Sequence, residues 1–350
     1  MTKETQFTSL LLKWNSGENN RCMPWKNEKN PYRIWISEII LQQTRVLQGT
    51  SYYKRFIHAF PTVFDVANAE ESEVFKLWEG LGYYSRCKNI IFSAKHIANK
   101  LNGIFPESYE EIIKLKGIGT YTASAIASFA FNQPYAVVDG NVFRVLSRVF
   151  GISISIDSNQ GKKIITTLAG KLLDKTQPGI YNQSLMDFGA TICKPQLPIC
   201  ISCPLNSICY AFQHGLVNQL PIKQNKIARK SRWFYYLVIS YNNNFYVRKR
   251  MTKDIWQNLY EFVLVETTHP VDIGDFLSGK IFKPILNKTC YNLDGISNLK
   301  TQLLTHQVIK GRFINATLKN PISIKGYDLV TSEELKTLPF PKFITTYLKD

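Results

Sequence analysis

Lys116-Gly117-Ile118-Gly119-Thr120-Tyr121-Thr122-Ala123-Ser124-Ala125-Ile126 sets two glycines one residue apart directly before an Ala/Ser/Ile run. Upstream, Ser108-Tyr109-Glu110-Glu111 fits a capping box, with Ser108 at the N-cap and Glu111 at the third helical position, so a short helix is expected to about Leu115. Gly117 and Gly119 then permit a tight turn and close approach of a ligand. The next helix should start near Thr120, leaving its first N–H groups unpaired and directed outward. Helix, Gly-x-Gly hairpin, helix is a seat for one phosphate, held without regard to base sequence. An ordinary corner between two helices has the same local pattern, so the rest of the chain must decide.

The charge favours the first reading. The 350 residues carry 43 Lys+Arg against 26 Asp+Glu, a net +17. Up to Leu220 there are 23 basic and 16 acidic residues (+7), and beyond it 20 and 10 (+10). Both halves are basic, which suits a polyanion such as nucleic acid or an anionic surface. With 45% apolar and 20% charged residues the chain is globular. It is long enough for two or three domains. No segment reaches the roughly 18–20 apolar residues of a membrane span, and the N-terminus does not read as a signal peptide. Seven cysteines, an odd number with four clustered, argue against a disulfide framework and for a reducing cytoplasm or nucleoid.

From about Phe7 to Phe212 apolar residues recur at helical spacing, as in Ile34 to Leu41, Val74 to Trp78, Ile90 to Ile97 and Ile164 to Leu173. This defines a mainly α domain over residues 1–220. A basic linker at 221–232 follows. From 233 to 350 the period changes: Trp233 to Tyr241, a turn at Asn242-Asn243-Asn244, and Phe245 to Arg248 read as a β-hairpin opening a smaller α+β domain.

Cys193, Cys200, Cys203 and Cys209 spell C-x6-C-x2-C-x5-C within seventeen residues. Four thiolates this close imply zinc or an iron–sulfur cluster. A single compact loop, without two separated C-x2-C knuckles, favours a 4Fe–4S cluster, serving as a clip that aims a basic surface at DNA. Two carboxylates complete the candidate chemistry. Glu38 sits in Ile34-Trp35-Ile36-Ser37-Glu38-Ile39-Ile40-Leu41, where burial would raise its pKa and keep it protonated near neutral pH. Asp139, in Val137-Val138-Asp139-Gly140-Asn141, feeds a new helix that it or Asn141 could cap. One protonated and one ionised acid is the pair needed to break a glycosidic bond.

Together with Pro24-Trp25, Pro31-Tyr32-Arg33, Leu41-Gln42-Gln43-Thr44, Gly80-Leu81-Gly82-Tyr83-Tyr84-Ser85-Arg86 and Asn182-Gln183-Ser184-Leu185-Met186-Asp187-Phe188-Gly189-Ala190, these residues resemble the helix-hairpin-helix DNA glycosylases with an iron–sulfur loop. Within them the pattern is similar to the A/G-specific adenine DNA glycosylases (the MutY family). The resemblance is dense over 10–215. It is looser beyond 231, where Ile255-Trp256-Gln257-Asn258-Leu259-Tyr260-Glu261-Phe262 looks like the family's Nudix-like 8-oxoguanine recognition domain, without a Nudix box.

The resemblance implies a monofunctional enzyme of base excision repair that acts as a monomer on double-stranded DNA. It would flip adenine from opposite 8-oxoguanine or guanine and hydrolyse its N-glycosidic bond. Glu38 would protonate the adenine ring and later help activate water, and Asp139 with Asn141 would stabilise the oxocarbenium-like sugar. Gly117, Gly119, Gln43, Thr44, Leu81 and Tyr83 would contact DNA, Gln43 and Tyr83 by filling or wedging the duplex. Arg21, Trp25 and Gln183 would line the adenine pocket, and loop 193–209 would bind the 4Fe–4S cluster. Where bifunctional relatives carry a lysine nucleophile this chain has Tyr121, which cannot form a Schiff base. There are two departures: Leu304-Thr305-His306 stands for Phe-Ser-His in 8-oxoguanine recognition, and Lys26 stands where many relatives have arginine. The competing readings are a G·T thymine glycosylase, a bifunctional pyrimidine lyase and a non-catalytic DNA-binding module.

Overall fold

The structure, a computed structural model, describes residues 1–224, 228–278, 285–286 and 290–349. The chain forms two compact units. The first comprises Met1–Asn68 and Asn89–Asn225, and the second Ala69–Lys88 and Lys226–Asp350. That the stretch 69–88 packs with the C-terminal residues is not readable from the sequence. Its anchors are polar and distant in the chain: Glu79 accepts the Phe340 N–H at 2.8 Å and Lys76 Nζ donates to the Leu338 carbonyl at 2.9 Å.

The helices in chain order are α1 (Lys3–Gly17), α2 (Pro31–Leu41), α3 (Val46–Ala59), α4 (Val63–Asn68), α5 (Glu71–Trp78), α6 (Tyr84–Lys100), α7 (Tyr109–Ile112), α8 (Thr120–Phe131), α9 (Gly140–Phe150), α10 (Asn159–Leu172), α11 (Pro178–Thr191) and α12 (Tyr210–Gln213). Of these, α5 and the first turn of α6 belong to the second unit. The first unit's core joins Phe7, Leu11 and Trp14 of α1 to Val142, Val145 and Leu146 of α9 and Tyr181, Leu185 and Phe188 of α11. Helix α2 is buried nearly all round, from Ile34 to Ile40, and packs on α8.

The hairpin forms as expected between α7 and α8, with one local difference. Ser108 holds the N-cap position, but its hydroxyl bonds the Glu111 carboxylate at 3.1 Å and makes no cap bond to the backbone. The two glycines do different work. Gly117 has φ +85, and a Cβ there would meet Asn89 at 2.5 Å. Gly119 is extended, at φ −99, and caps α8 with no atom within 4 Å of where a Cβ would stand.

The second unit is built on a seven-stranded sheet of order β4-β6-β1-β3-β2-β7, with β5 also paired to β6. Its strands are β1 (Lys230–Tyr241), β2 (Asn244–Lys249), β3 (Tyr260–Thr267), β4 (Tyr291–Ile296), β5 (Lys300–Leu303), β6 (Gln307–Leu318) and β7 (Asp328–Thr331). The expected hairpin is β1–β2, turned by Asn242 (φ 47) and Asn243 (φ 60), both left-handed as a two-residue turn requires. Strand β1 begins at Lys230. Arg232, which composition places in the linker, is thus a strand residue bonded to Asp254 and Glu266. One sheet face is covered by α13 (Ile273–Ser278) through Phe276. Short helices at Ser332–Thr337 (α14) and Lys342–Tyr347 (α15) close the chain, and α15 sets Phe343 and Tyr347 against Phe313. Among the described residues no helix is long and apolar enough to cross a membrane.

Candidate active site

Three elements of the first unit bring the predicted chemistry together. Helix α2 starts at Pro31, with the Asn30 side chain accepting from the N–H groups of Tyr32 and Arg33. Two turns on, it delivers Glu38 into the interior, 5% exposed. Helix α8 delivers Tyr121 in its first turn, and the Tyr121 hydroxyl donates to Glu38 Oε2 at 2.7 Å. Burial raises the Glu38 pKa to about 7. The Tyr121 hydrogen bond pulls it down, and the nearby negative charge of Asp139 pushes it up. The same surroundings push the Tyr121 phenol up, burial first and the two carboxylates next.

Asp139 is the N-cap of α9. Oδ1 accepts the Val142 N–H at 2.8 Å, and Oδ2 accepts the Asn141 amide at 2.7 Å. Burial raises this carboxyl, while those two hydrogen bonds and Arg144 oppose the rise. The extended backbone leading to it is fixed from α11. Asn182 accepts the Val137 N–H at 3.1 Å and donates to the Tyr135 carbonyl at 2.8 Å. Gly189 lets α11 approach: a Cβ there would stand 2.6 Å from that of Asn141.

Trp25, Gln183 and Glu38 line one cleft, about 560 Å³ of space partly open to solvent. Arg21 and Gln183 are joined through Asp187, which is fully buried. It accepts from Arg21 at 2.7 Å and Gln183 at 2.9 Å on one oxygen, and from Asn19 at 3.0 Å and Lys26 at 3.2 Å on the other. Lys26, the departure from the arginine of many relatives, thus has a defined partner. Sequence reasoning gives Asp187 no role, although its spacing four residues after Gln183 puts both on one helical face.

At the Cys loop, Cys193, Cys200, Cys203 and Cys209 all line a second cleft, which they share with Arg148, Ile199 and Phe212. Burial pushes the Cys203 thiol up to about 12, and the neighbouring thiols add to it. No three His, Cys, Asp or Glu side chains among the described residues close on a point where a single metal ion would sit. Two arginines of α9 that sequence reasoning leaves without a role tie this loop down. Arg144 donates to the Cys193 carbonyl at 2.8 Å, the Gly189 carbonyl at 2.7 Å and Asn141 Oδ1 at 2.8 Å. Arg148 bonds the Lys194 carbonyl at 2.8 Å and the Leu220 carbonyl at 3.0 Å, with Cys193 Sγ at 3.4 Å. Their spacing of four on a helix whose other face is Val142, Val145 and Val149 is the signal that could have marked them.

Gln43 (φ 58) and Thr44 follow α2 in the first unit. In the second unit Tyr83 (φ 49) is 45% exposed and its hydroxyl is hydrogen-bonded to that of Thr305, so two residues expected on the 8-oxoguanine side meet. His306 is exposed beside Thr305, and its carbonyl accepts the Lys230 N–H. Leu81, expected to touch DNA, is buried and supports its loop from inside.

Residues 36–173 match the HhH-GPD superfamily of base excision DNA repair proteins. The chain is 40% identical over 263 residues to the adenine DNA glycosylase of Buchnera aphidicola subsp. Baizongia pistaciae, covering 73% of each chain. The chain belongs to the adenine DNA glycosylases. The human adenine DNA glycosylase is 41% identical over 225 residues, covering 62% of this chain and 41% of the human one. Among solved structures, a thermostable thymine-DNA glycosylase superposes with a TM-score of 0.56 at 30% identity, over 61% of this chain and 97% of its own. An endonuclease III trapped on DNA follows at 0.53 and 25%, over 62% of this chain and all of its own. This adenine glycosylase is therefore a base excision repair enzyme that acts on DNA, with a helical glycosylase unit and an α+β unit built on the C-terminal sheet.

Proposed function

We propose that this glycosylase acts on adenine opposite 8-oxoguanine or guanine, turns the nucleotide out of the duplex, and hydrolyses its N-glycosidic bond without cutting the strand. The observation that carries the chemistry is Glu38, buried, with a pKa near 7 and one carboxyl oxygen committed to Tyr121. That leaves Oε1 to carry the proton toward a purine ring nitrogen, making adenine a neutral leaving group. As the bond lengthens, the sugar gains positive charge, and Asp139 offers a carboxylate fixed in place by Val142 and Asn141. Having lost its proton, Glu38 becomes the base that orients the incoming water. The cleft lined by Trp25 and Gln183 receives the adenine, with Arg21 and Gln183 held in register by Asp187. Tyr121 supplies a hydroxyl and no amine, so no Schiff base with the sugar forms and the strand is left uncut.

A duplex reaches the site through its backbone: Gly117 and Gly119 open the end of α8 to one phosphate. On the partner base, Tyr83, Thr305 and His306 read 8-oxoguanine, and Gln43 fills the gap left by the flipped nucleotide. We further propose that the four cysteines hold a 4Fe–4S cluster. The four cysteines line one cleft, as a cluster bound by four thiolates would require. When bound, the cluster would supply four metal–thiolate bonds that lock the 193–209 loop.

The test is a glycosylase assay on duplexes carrying A·8-oxoguanine, A·G, A·C and G·T pairs, with and without alkali. Adenine release from the first two, with breaks only after alkali, is expected. Thymine release from G·T would instead favour the activity named for the superposed thermostable enzyme, and breaks without alkali would favour a lyase.

A further inference from the structure

The exposed Tyr83 is held in a conformation that a tyrosine does not choose. Its φ is 49, and it directly follows Gly82 at 80, itself two residues after Gly80 at 88. For a non-glycine residue the left-handed region is strained, so something nearby must fix it. The Gly82 carbonyl accepts two hydrogen bonds, from Trp78 Nε1 at 3.1 Å and from an Arg86 terminal nitrogen at 3.2 Å, which pins the peptide leading into Tyr83. Arg86 also lies within cation–π range of both rings, its guanidinium carbon 5.2 Å from the Tyr83 centroid and 5.5 Å from that of Trp78. Tyr83 remains 45% exposed, whereas Arg86 is only 9% exposed. Burial lowers the guanidinium pKa to about 10, which still leaves it charged at neutral pH.

We propose that Arg86 is the positioning residue for Tyr83: clamped against Trp78 and the Gly82 carbonyl, its cation holds the face of the tyrosine ring, whose hydroxyl end meets Thr305, for insertion beside the partner base. The assignment rests on the reading of Tyr83 as the wedge. It explains why a basic residue in a basic DNA-binding chain is buried against two rings and withheld from the surface. Lysine would keep the charge but cannot span the carbonyl and both ring faces with a planar group.

The experiment is a double-mutant cycle on the full chain. Binding to an A·8-oxoguanine duplex and single-turnover excision are measured for Arg86→Met, Arg86→Lys, Tyr83→Ala and Arg86→Met/Tyr83→Ala. In parallel, 3-fluorotyrosine placed at 83 reports ring position by fluorine NMR in the free protein. Arg86→Met should weaken binding about tenfold, the size of one desolvated cation–ring contact. It should also shift or broaden the fluorine line, and it should cost nothing further in the Tyr83→Ala background, while Arg86→Lys falls between. An equal loss with and without the Tyr83 ring, or an unmoved fluorine line in Arg86→Met, overturns the proposal. If Tyr83→Ala alone leaves binding and excision intact, the wedge reading fails separately, and the fluorine line then decides the positioning role by itself.

Discussion

Glu38→Gln should make this protein more stable while abolishing its activity, and the gain should depend on pH in a defined direction. The Glu38 carboxyl rises from 4.5 to about 7 on folding, chiefly because burial disfavours the charge. A group whose folded pKa lies above its unfolded value gives stability that is complete below the unfolded value and lost as pH rises through the folded one. Between pH 4.5 and 7 the folded chain holds a proton that the unfolded chain has released. At about 1.4 kcal/mol per unit, the two-and-a-half-unit rise costs the wild type about 1 kcal/mol at pH 5 and about 3 kcal/mol at pH 8. Glutamine keeps the shape and can still accept the Tyr121 hydrogen bond, but it does not titrate. The Tm difference between variant and wild type should therefore widen by roughly 5–10 °C from pH 5 to pH 8, taking 2–4 °C per kcal/mol for a unit of this size. Differential scanning calorimetry at pH 5, 6, 7 and 8 reads it directly, because titrating groups that do not interact with Glu38 cancel in the difference. Excision by the wild type should fall above pH 7 as the proton is lost, and the variant should release no adenine at any pH. A Tm difference that stays flat across this range would show that Glu38 is not a buried acid, and the proton-transfer mechanism would go with it.

The other expectations follow from individual contacts. Asp139→Asn keeps a competent N-cap for α9, so DNA affinity and Tm should stay near wild type while single-turnover excision drops by about 10² or more. Loss of binding instead would make Asp139 a structural cap only. Tyr121→Phe removes the hydrogen bond that lowers the Glu38 pKa, so the alkaline limb of the excision rate should move to higher pH; an unmoved limb would deny the contact. Gly119→Ala has open space for its methyl and should fold normally yet bind duplex DNA more weakly in a salt-dependent titration. Gly117→Ala meets Asn89 at 2.5 Å with φ +85 and should lose about 1–3 kcal/mol of stability as well. Cys203→Ser should lower iron content and visible absorbance in protein purified without air, and unchanged iron would remove Cys203 from the ligand set.

What could be read from the sequence were features whose cause is local. The Gly-x-Gly hairpin, the burial of Glu38 inside an apolar helix, the Asp139 cap and the two-residue Asn turn each follow from neighbours within a few positions. The features that escaped are those whose partner lies far along the chain. Asp187 becomes the anchor of the cleft only because α1 and the loop after it bring Asn19, Arg21 and Lys26 to it. The attachment of 69–88 to the C-terminal residues rests on partners far off in the chain, among them the Leu338 carbonyl, the Phe340 N–H and the Thr305 hydroxyl, and no local pattern encodes it. Ser108 shows the opposite failure, where a correct local pattern resolves to a different hydrogen bond: its hydroxyl donates to the Glu111 carboxylate and accepts no backbone N–H.

The arginines of α9 show why such a site needs long-range ties at all. On the proposed mechanism Asp139 must keep its oxygens aimed while a charge appears and disappears beside it, and a helix N-terminus by itself frays. Asn141 holds Oδ2 of Asp139, Arg144 holds Asn141, and the same guanidinium reaches the carbonyls of Gly189 and Cys193. Each link is a partly or fully buried, charge-assisted or amide hydrogen bond, whose loss leaves a polar group unsatisfied at up to roughly 1–3 kcal/mol. Arg144→Met therefore removes the donor to Asn141, Gly189, Cys193 and Gly140 at once and should slow excision through a displaced Asn141, even with adenine binding intact. An excision rate equal to wild type in a folded Arg144→Met protein would mean that Asp139 is positioned by its own cap bond to Val142, and that the ties to α11 and the cysteine loop serve stability alone.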